Sequence, residues 1–584
     1  MKKLLPFICA TAIILNVSHL ESAQRYSVFE AAHLLEQEYR DGRLSLDQKC
    51  LYLTLALRNK AELPDRFKLP AEEDLKCGTP LVLEVRRHWG LLSFETRQEI
   101  SQLLDRPPKT FEFRTTHYVI HYDTTGEYPV YHPWEDLDPA DGVPDYINRV
   151  AEYMERSYYV EIDSMGYYAP PWDGTAGGDS LYDIYIDQPL GYAVPEEPST
   201  QYPDRPHATT SFIIIGNDLR IDRYPDDPLP FCMATCCHEL FHAIQFVFTG
   251  QIWYPKDYTG WLYESCANWI EESVWDELND VYYYLNSYLP VPHQSLYYED
   301  GRHMYASWIW NQYLSENFGR DVIHSIWLKY MEVYACAAVD SVLRGLGTTM
   351  NDEFREFAVW NWFTNYRDDG NHYSEGAFFP PDTVVYGATH SSYPVSWMVW
   401  MRTPQSYGAN YVLFNTASAD TGAYELSFSG DSQYVYGVDL ILYDPSSSSY
   451  LKMTLDENSS GELVIEDFKS YGRVIMVVTH LFNFPDRYGG ASFSYSLDTY
   501  VPFVRGDSNG DGIINVGDIV YLVSYLYKNG PAPSPIDAGD CNCDDVINLG
   551  DVVYLVSYLY KGGPPPGCPK APLFVPDRPA RISN

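Results

Sequence analysis

The chain has 584 residues, 45% hydrophobic and 16% aromatic, enough to bury several cores, so more than one domain is expected. Asp and Glu outnumber Lys and Arg 80 to 40, a formal charge of −40, which argues against nucleic acid or an anionic membrane surface as partner. The same acidity suits solubility outside the cell and offers carboxylates to divalent cations.

Residues 1–23 read as a secretory signal peptide: Met1-Lys2-Lys3, an apolar run from Leu4 to Val17, and a small residue, Ala23, at the cut. The run is too short for a stop-transfer helix and no later segment reads as bilayer-spanning, so an exported, soluble product without a transmembrane anchor is expected. Of 11 cysteines only Cys9 lies in the signal, leaving an even number for an oxidising compartment. Cys50 and Cys77 are the expected disulfide of the N-terminal segment, and a bridge from Cys236 or Cys237 to Cys266 would tie two central helices together.

Residues 24–110 carry helical periodicity, as in Val28 to Leu35 and Thr96 to Leu104, and close at Pro107-Pro108. Both a removable pro-segment and an N-terminal structural subdomain fit. Residues 111–375 are mixed. His117 to Tyr122, Leu181 to Ile186 and Ser211 to Ile215 read as strands, and Tyr146 to Tyr159 as a helix. A further helix is expected from near Pro230 to just before Gly250, followed by others through Trp275, Trp308 and Phe357. This is an α+β domain. Residues 376–500 change to short alternating strands with Gly, Asp and Ser turns, such as Tyr411 to Phe414, Tyr424 to Phe428 and Val474 to Val478, which predicts a β-sandwich. Residues 501–563 contain a repeat offset by 33 positions, and 564–584 form a Pro-rich tail.

The central helix carries His238-Glu239-Leu240-Phe241-His242. Residues four apart share a helix face, so both imidazoles can reach one ion with Glu239 beside them. Apolar flanks bury the helix, where an unpaired His-Glu-His cluster is costly. Glu264, on the next helical stretch, can add a carboxylate. His238, His242 and Glu264 are thus the expected ligands of Zn²⁺, with a fourth position for water and Glu239 as general base. Asn268, one turn after Glu264, is the candidate acceptor that orients the imidazoles. A second acidic group, Asp136, Asp138, Asp141 and Asp145, has spacing for a structural calcium, although a solvated loop capping the following helix accounts for it better.

Residues 238–272 resemble the gluzincin metallopeptidases, in which HExxH is followed by a helix bearing a Glu ligand. Residues 113–375 are similar to a family of uncharacterised secreted bacterial metalloproteases through His121 to Gly126, Asp141 to Tyr146, Gly178 to Asp183, Ala234 to Gln245 and Trp261 to Glu264. The metzincin pattern is absent, since Gln245 and Phe248 stand where its Gly and third His would fall. The resemblance implies a zincin-like core acting on protein or peptide substrates. It also implies a role for Tyr305 as donor to the developing oxyanion, against which ordinary packing must be set in a chain with 52 tyrosines. As in zincins, the strand Phe212 to Ile215 would be the cleft edge that pairs with substrate backbone. Lys76-Cys77-Gly78-Thr79 is weakly similar to the cysteine segment that masks zinc in latent proteases, with the Cys50 disulfide as the preferred reading.

In each C-terminal repeat oxygen-bearing residues fall at loop positions 1, 3, 5, 9 and 12 of an EF-hand-like Ca²⁺ loop. Asp507, Asn509, Asp511, Asn515 and Asp518 make the first set, and Asp540, Asn542, Asp544, Asn548 and Asp551 the second. The pair resembles a type I dockerin, a small all-α module that implies a cohesin scaffold as partner. Asp545 departs from the pattern at the turn glycine, and Val516-Gly517 and Leu549-Gly550 depart at the recognition pairs. The expectation is a secreted, dockerin-tethered zinc metallopeptidase. The alternative is a catalytically inactive zincin-fold surface binding or adhesion protein assembled through the dockerin, against which the intact Glu239 argues.

Overall fold

Alternating apolar residues in the first half build one mixed sheet, and helices cover it. The computed structural model describes residues 28–69, 76–250, 260–333, 335–381, 383–420, 422–445, 447–481, 489–500 and 503–567. The expected signal peptide and all but the first residues of the Pro-rich tail lie outside them. The chain divides into two compact units. One holds the described residues up to Tyr283 with Glu299–Ser315 and Arg320–Val342; the other holds Tyr284–Tyr298, Glu316–Gly319 and those from Leu343 onward.

The first unit begins with α1 (Val28–Arg40), α2 (Leu46–Arg58), α3 (Thr79–Arg87) and α4 (Phe94–Leu103). Ser45 and Gln48 form a reciprocal capping box at α2, and Ser93 caps α4, which is why the chain starts helices there. Then come β1 (Phe111–Arg114), β2 (Tyr118–Tyr122), α5 (Asp145–Tyr158), β3 (Tyr182–Asp187), β4 (Tyr192–Pro198), β5 (Thr209–Gly216), α6 (Leu229–Thr249) and α7 (Gly260–Val274). Shorter helices follow: α8 (His303–Ala306), α9 (Trp308–Phe318), α10 (Asp321–Tyr330) and α11 (Ala335–Gly345).

The sheet order is β1-β2-β3-β5-β4. β2, β3 and β5 run parallel, with antiparallel strands at both edges. Phe212 and Ile214 of β5 share one core with Tyr185, Tyr192, Val194 and helices α1 to α4. Ile213 and Ile215 alternate to the opposite face and are equally buried. Such two-sided burial is what a parallel strand requires. It also corrects one expectation: Phe212 to Ile215 is not a cleft edge, because β5 is hydrogen-bonded on both sides. The edge strand on this side of the sheet is β4.

A second correction concerns α6. By length and composition this 21-residue helix is apolar enough to cross a membrane, contrary to the sequence reading, yet nearly all of it is buried in the core. A helix apolar all round fits either setting. It ends at Gly250, whose φ of +59° and close approach to the His207 carbonyl exclude a Cβ.

The second unit contains α12 (Met350–Trp362), capped by Thr349, and nine strands: β6 (Tyr386–His390), β7 (Val395–Val399), β8 (Gly408–Asn415), β9 (Ala423–Gly430), β10 (Tyr436–Tyr443), β11 (Ser449–Met453), β12 (Ser460–Ile465), β13 (Arg473–His480) and β14 (Phe493–Tyr500). They form two sheets, β11-β10-β13-β8-β6 and β12-β9-β14-β7, around one apolar core that includes Phe414, Leu426, Leu440, Met476 and Leu497. Arg355 of α12 closes on buried Asp439 at 2.9 Å. The chain then forms α13 (Val516–Lys528) and α14 (Leu549–Lys561), which meet around Leu522 and Leu555.

The disulfides expected in the first unit are overturned. Cys50, Cys77, Cys236, Cys237 and Cys266 are all free and buried. Cys543 is the disulfide-bonded cysteine among the described residues.

Candidate metal centre and calcium loops

Helical spacing and a single helix–helix packing assemble the first cluster. His238 and His242 lie one turn apart on α6, and Glu264 comes from the second turn of α7; all three side chains are buried. The two Nε2 atoms are 3.1 Å apart, and each lies 3.3 Å from a Glu264 carboxylate oxygen. Each Nδ1 faces outward to a fixed partner, Glu271 Oε1 at 2.8 Å for His238 and Gln245 Oε1 at 2.7 Å for His242. Gln245 is itself anchored by its Nε2, which donates to the Tyr263 carbonyl at 3.0 Å.

Donors on a tetrahedral zinc ion stand about 3.3 Å apart, so this spacing, with both Nε2 atoms converging on a carboxylate, fits the ion. A fourth donor completes the set. Cys77 Sγ lies with His238, His242 and Glu264 in one group whose donor atoms are all within 4.8 Å of one another.

Cys77 arrives on the segment before α3, and its neighbours are tied to the same cluster. Thr79 Oγ1 donates to Glu239 Oε2 at 3.0 Å and accepts from the Ala193 amide at 2.9 Å. The Gly78 amide donates to the Gly191 carbonyl at 2.9 Å, and the Thr79 amide to Cys77 Sγ at 3.2 Å. Lys76 is buried between Glu271 (2.9 Å) and Asp280 (3.3 Å), so one Glu271 carboxylate serves both Lys76 and His238.

Burial works against charge on His238, but hydrogen bonds that its ring donates to Glu264 and Glu271 outweigh it and raise its pKa to about 9. Burial likewise opposes ionisation of Glu264, yet the two histidines hold it at about 2. Glu239 is raised above the ordinary carboxylate value by burial, only partly offset by His242 and His238. Burial and the Glu239 and Glu264 carboxylates push the Cys77 thiol well up. A bound cation would reverse that preference and favour thiolate.

The orienting acceptors are therefore not the one expected. Asn268 donates instead to the Tyr305 carbonyl at 3.2 Å, while Glu271 and Gln245 hold the imidazoles. Both had a readable signal: Gln245 is three residues after His242, and Glu271 is two turns after Glu264. The Tyr305 ring is buried with its centroid 6.4 Å from that of His238. The Asp136 to Asp145 loop is braced by its own amides and does not cap α5 as expected: Asp136 accepts from the Asp141 and Gly142 amides, Asp145 from those of Leu137 and Asp138, and the helix starts after Pro144 without a side-chain cap.

The C-terminal loops share one set of hydrogen bonds, to which the second adds the Cys541 amide on Asp551 and Arg505 on Asp540. Asp518 accepts from the Asn509 and Asn515 amides, as Asp551 does from Asn542 and Asn548. Asp507 accepts from Asp511 and Gly512, as Asp540 does from Asp544 and Asp545. Asn515 and Asn548 also cap α13 and α14. In the second loop Asp540, Asp544 and Asp551 each bring a carboxylate oxygen within 4.8 Å of the others. Asp545 takes φ +61° where Gly512 has +86°, so the departure from glycine keeps the turn.

A model of a family of unknown function, DUF6055, matches residues 231–439, which include His238, Glu239, His242 and Glu264. A model of the type I dockerin domain matches residues 505–560. No curated protein matches the chain. The C-terminal module is thus a type I dockerin domain, of a calcium-binding class whose members bind cohesin partners and typically act outside the cell or at its surface.

Proposed function

We propose that this chain is a secreted zinc-dependent peptidase of the gluzincin type, carried to a cohesin-bearing scaffold by its dockerin. The observation that supports it is the convergence of two outward-anchored imidazoles and Glu264 beside a buried glutamate that is not needed as a ligand. A zinc ion held by His238, His242 and Glu264 would supply Lewis acidity, lowering the pKa of water toward about 7 and polarising a carbonyl.

Within this reading Glu239 takes a proton from the attacking water and returns it to the leaving amine. Burial raises its pKa above the ordinary carboxylate value, the direction that favours holding the proton between the two transfers. Glu271 and Gln245 keep each Nδ1 protonated and each Nε2 lone pair directed inward. Tyr305 is the candidate donor to the substrate oxyanion.

A second reading is favoured by Cys77. Four protein donors are the composition of a closed structural site, which would suit a non-catalytic binding or adhesion protein assembled through the dockerin. Casein hydrolysis by the zinc-loaded full chain and by its Cys77→Ser variant separates the two. Glu239→Gln in whichever background is active should lower the rate by about 10²–10⁴-fold with zinc content unchanged. Undiminished hydrolysis would remove Glu239 as the base.

A further inference from the structure

The metal-ligating set draws on a part of the chain far from α6 and α7. Cys77 could be only a constitutive fourth ligand, but its neighbours do more than position it. Thr79 Oγ1 hydrogen-bonds the carboxylate of Glu239, the group that the peptidase reading needs free. The same hydroxyl accepts from the Ala193 amide, and the Gly78 amide donates to the Gly191 carbonyl. Arg86, on α3, donates to the Pro195 carbonyl at 3.2 Å.

Residues 191, 193 and 195 alternate along β4 and its approach, so these are groups on its outward edge, the opposite edge being paired with β5. An edge of this kind, running past a catalytic group, is where an extended peptide adds as a further strand. Gly191 sits directly against that group: a Cβ there would lie 3.0 Å from Glu239 Oε1 and 2.3 Å from Thr235 Cγ2. Gly78 is equally confined, since its Cβ would meet Leu57 Cδ1 at 2.7 Å and Tyr192 Cβ at 3.2 Å.

The segment is also fixed from within: the Thr79 amide donates to the Cys77 sulfur at 3.2 Å, and the Lys76 ammonium is held by Glu271 and Asp280. Lys76 is nearly fully buried, so this seat is built and not casual.

From these contacts, and resting on the peptidase reading above, we propose that Lys76 to Thr79 is an internal inhibitor: Cys77 ligates the zinc ion, Thr79 engages Glu239, and Gly78 with Thr79 fills the β4 edge where substrate would pair. The chain in this conformation is latent. Helices α1 to α4 share a core with β3, β4 and β5, so release needs displacement of the short segment from the cleft and not unfolding of the region that carries it.

The test uses the zinc-loaded full chain. X-ray absorption at the zinc edge should show one sulfur neighbour at about 2.3 Å beside nitrogen and oxygen neighbours at about 2.0–2.2 Å. In Cys77→Ser and Cys77→Ala the sulfur contribution should vanish while zinc remains bound. Casein hydrolysis should rise by at least about 10²-fold in both variants, because the fourth zinc position then opens to a water that Glu239 can deprotonate. Absence of sulfur from the wild-type spectrum overturns the proposal even if neither variant folds. Sulfur present with no gain in hydrolysis over an active wild type overturns the latency. Sulfur present with no hydrolysis by any form overturns it too, and assigns that failure to the peptidase reading, leaving a closed structural site.

Discussion

The buried centre of the first unit and the calcium loops of the dockerin both gather oxygen and nitrogen donors around a point, but they use very different lengths of chain. Each calcium loop takes all its candidate ligand residues from twelve consecutive positions, and amides of the same loop hold the carboxylates, with Arg505 as an outside partner of Asp540. The buried centre takes donors from Cys77, α6 and α7 and depends on Lys76, Gln245, Glu271 and Asp280 for its setting. A local loop is therefore vulnerable to its own backbone conformation. A dispersed centre is vulnerable to residues that touch no ligand.

The largest effect that would sharpen this contrast is expected at Asp280, three contacts away from His238 through Lys76 and Glu271. Its carboxylate faces Lys76, Arg223 and Tyr224 and is almost wholly buried. Burial raises its pKa, but Lys76 and Arg223 outweigh burial and hold it below 3.8. A carboxylate depressed on folding contributes stability above its unfolded value, and that contribution is lost as pH falls through the folded one. Asp280→Asn should cost about 3 kcal/mol at neutral pH, as for breaking a buried pair. In urea titrations the difference from wild type should shrink as pH drops below 3.8. A negligible difference at neutral pH would mean that the centre is as self-contained as the loops.

Next in size is Glu271→Gln, which keeps the shape but removes the charge shared by His238 and Lys76. Zinc affinity, measured by competition with a chelator, should fall by about 10–100-fold. Unchanged affinity would break the contrast at its nearest supporting residue.

The same difference in chain length governs what the sequence made legible. The calcium ligands and the His238–His242 pair are readable because loop position and helix period determine them. Helix α6 ends beside the expected glycine, and β2, β3, β5, β8, β9 and β13 fall on the alternating runs. The free state of Cys77 and Cys50 is not legible, because cysteine partners depend on tertiary approach, which spacing does not encode. The interior place of β5 is not legible either, because strand order is a property of the sheet and not of any strand. Glu271 and Asn268 both lie on the Glu264 side of α7, and only the packing of α6 shows which of them meets a histidine.

The smallest predicted effect lies in the local site and compares its two copies. Asp545 holds φ +61° and Cys543 +59°, where the first loop has Gly512 and Gly510. A left-handed conformation costs a non-glycine residue about 1–2 kcal/mol, less for Asp, and glycine removes that strain. Glycine also widens the unfolded ensemble, which returns about 0.4–1 kcal/mol. The difference leaves Asp545→Gly a net gain of at most about 0.5–1 kcal/mol, no more than roughly two- to fivefold tighter calcium binding if the loop orders only around the ion. Calorimetric titration of the second loop measures it directly. Weaker binding in Asp545→Gly would mean that the extra carboxylate contributes more attraction for the cation than its backbone costs, and the two loops would then reach calcium affinity by different routes.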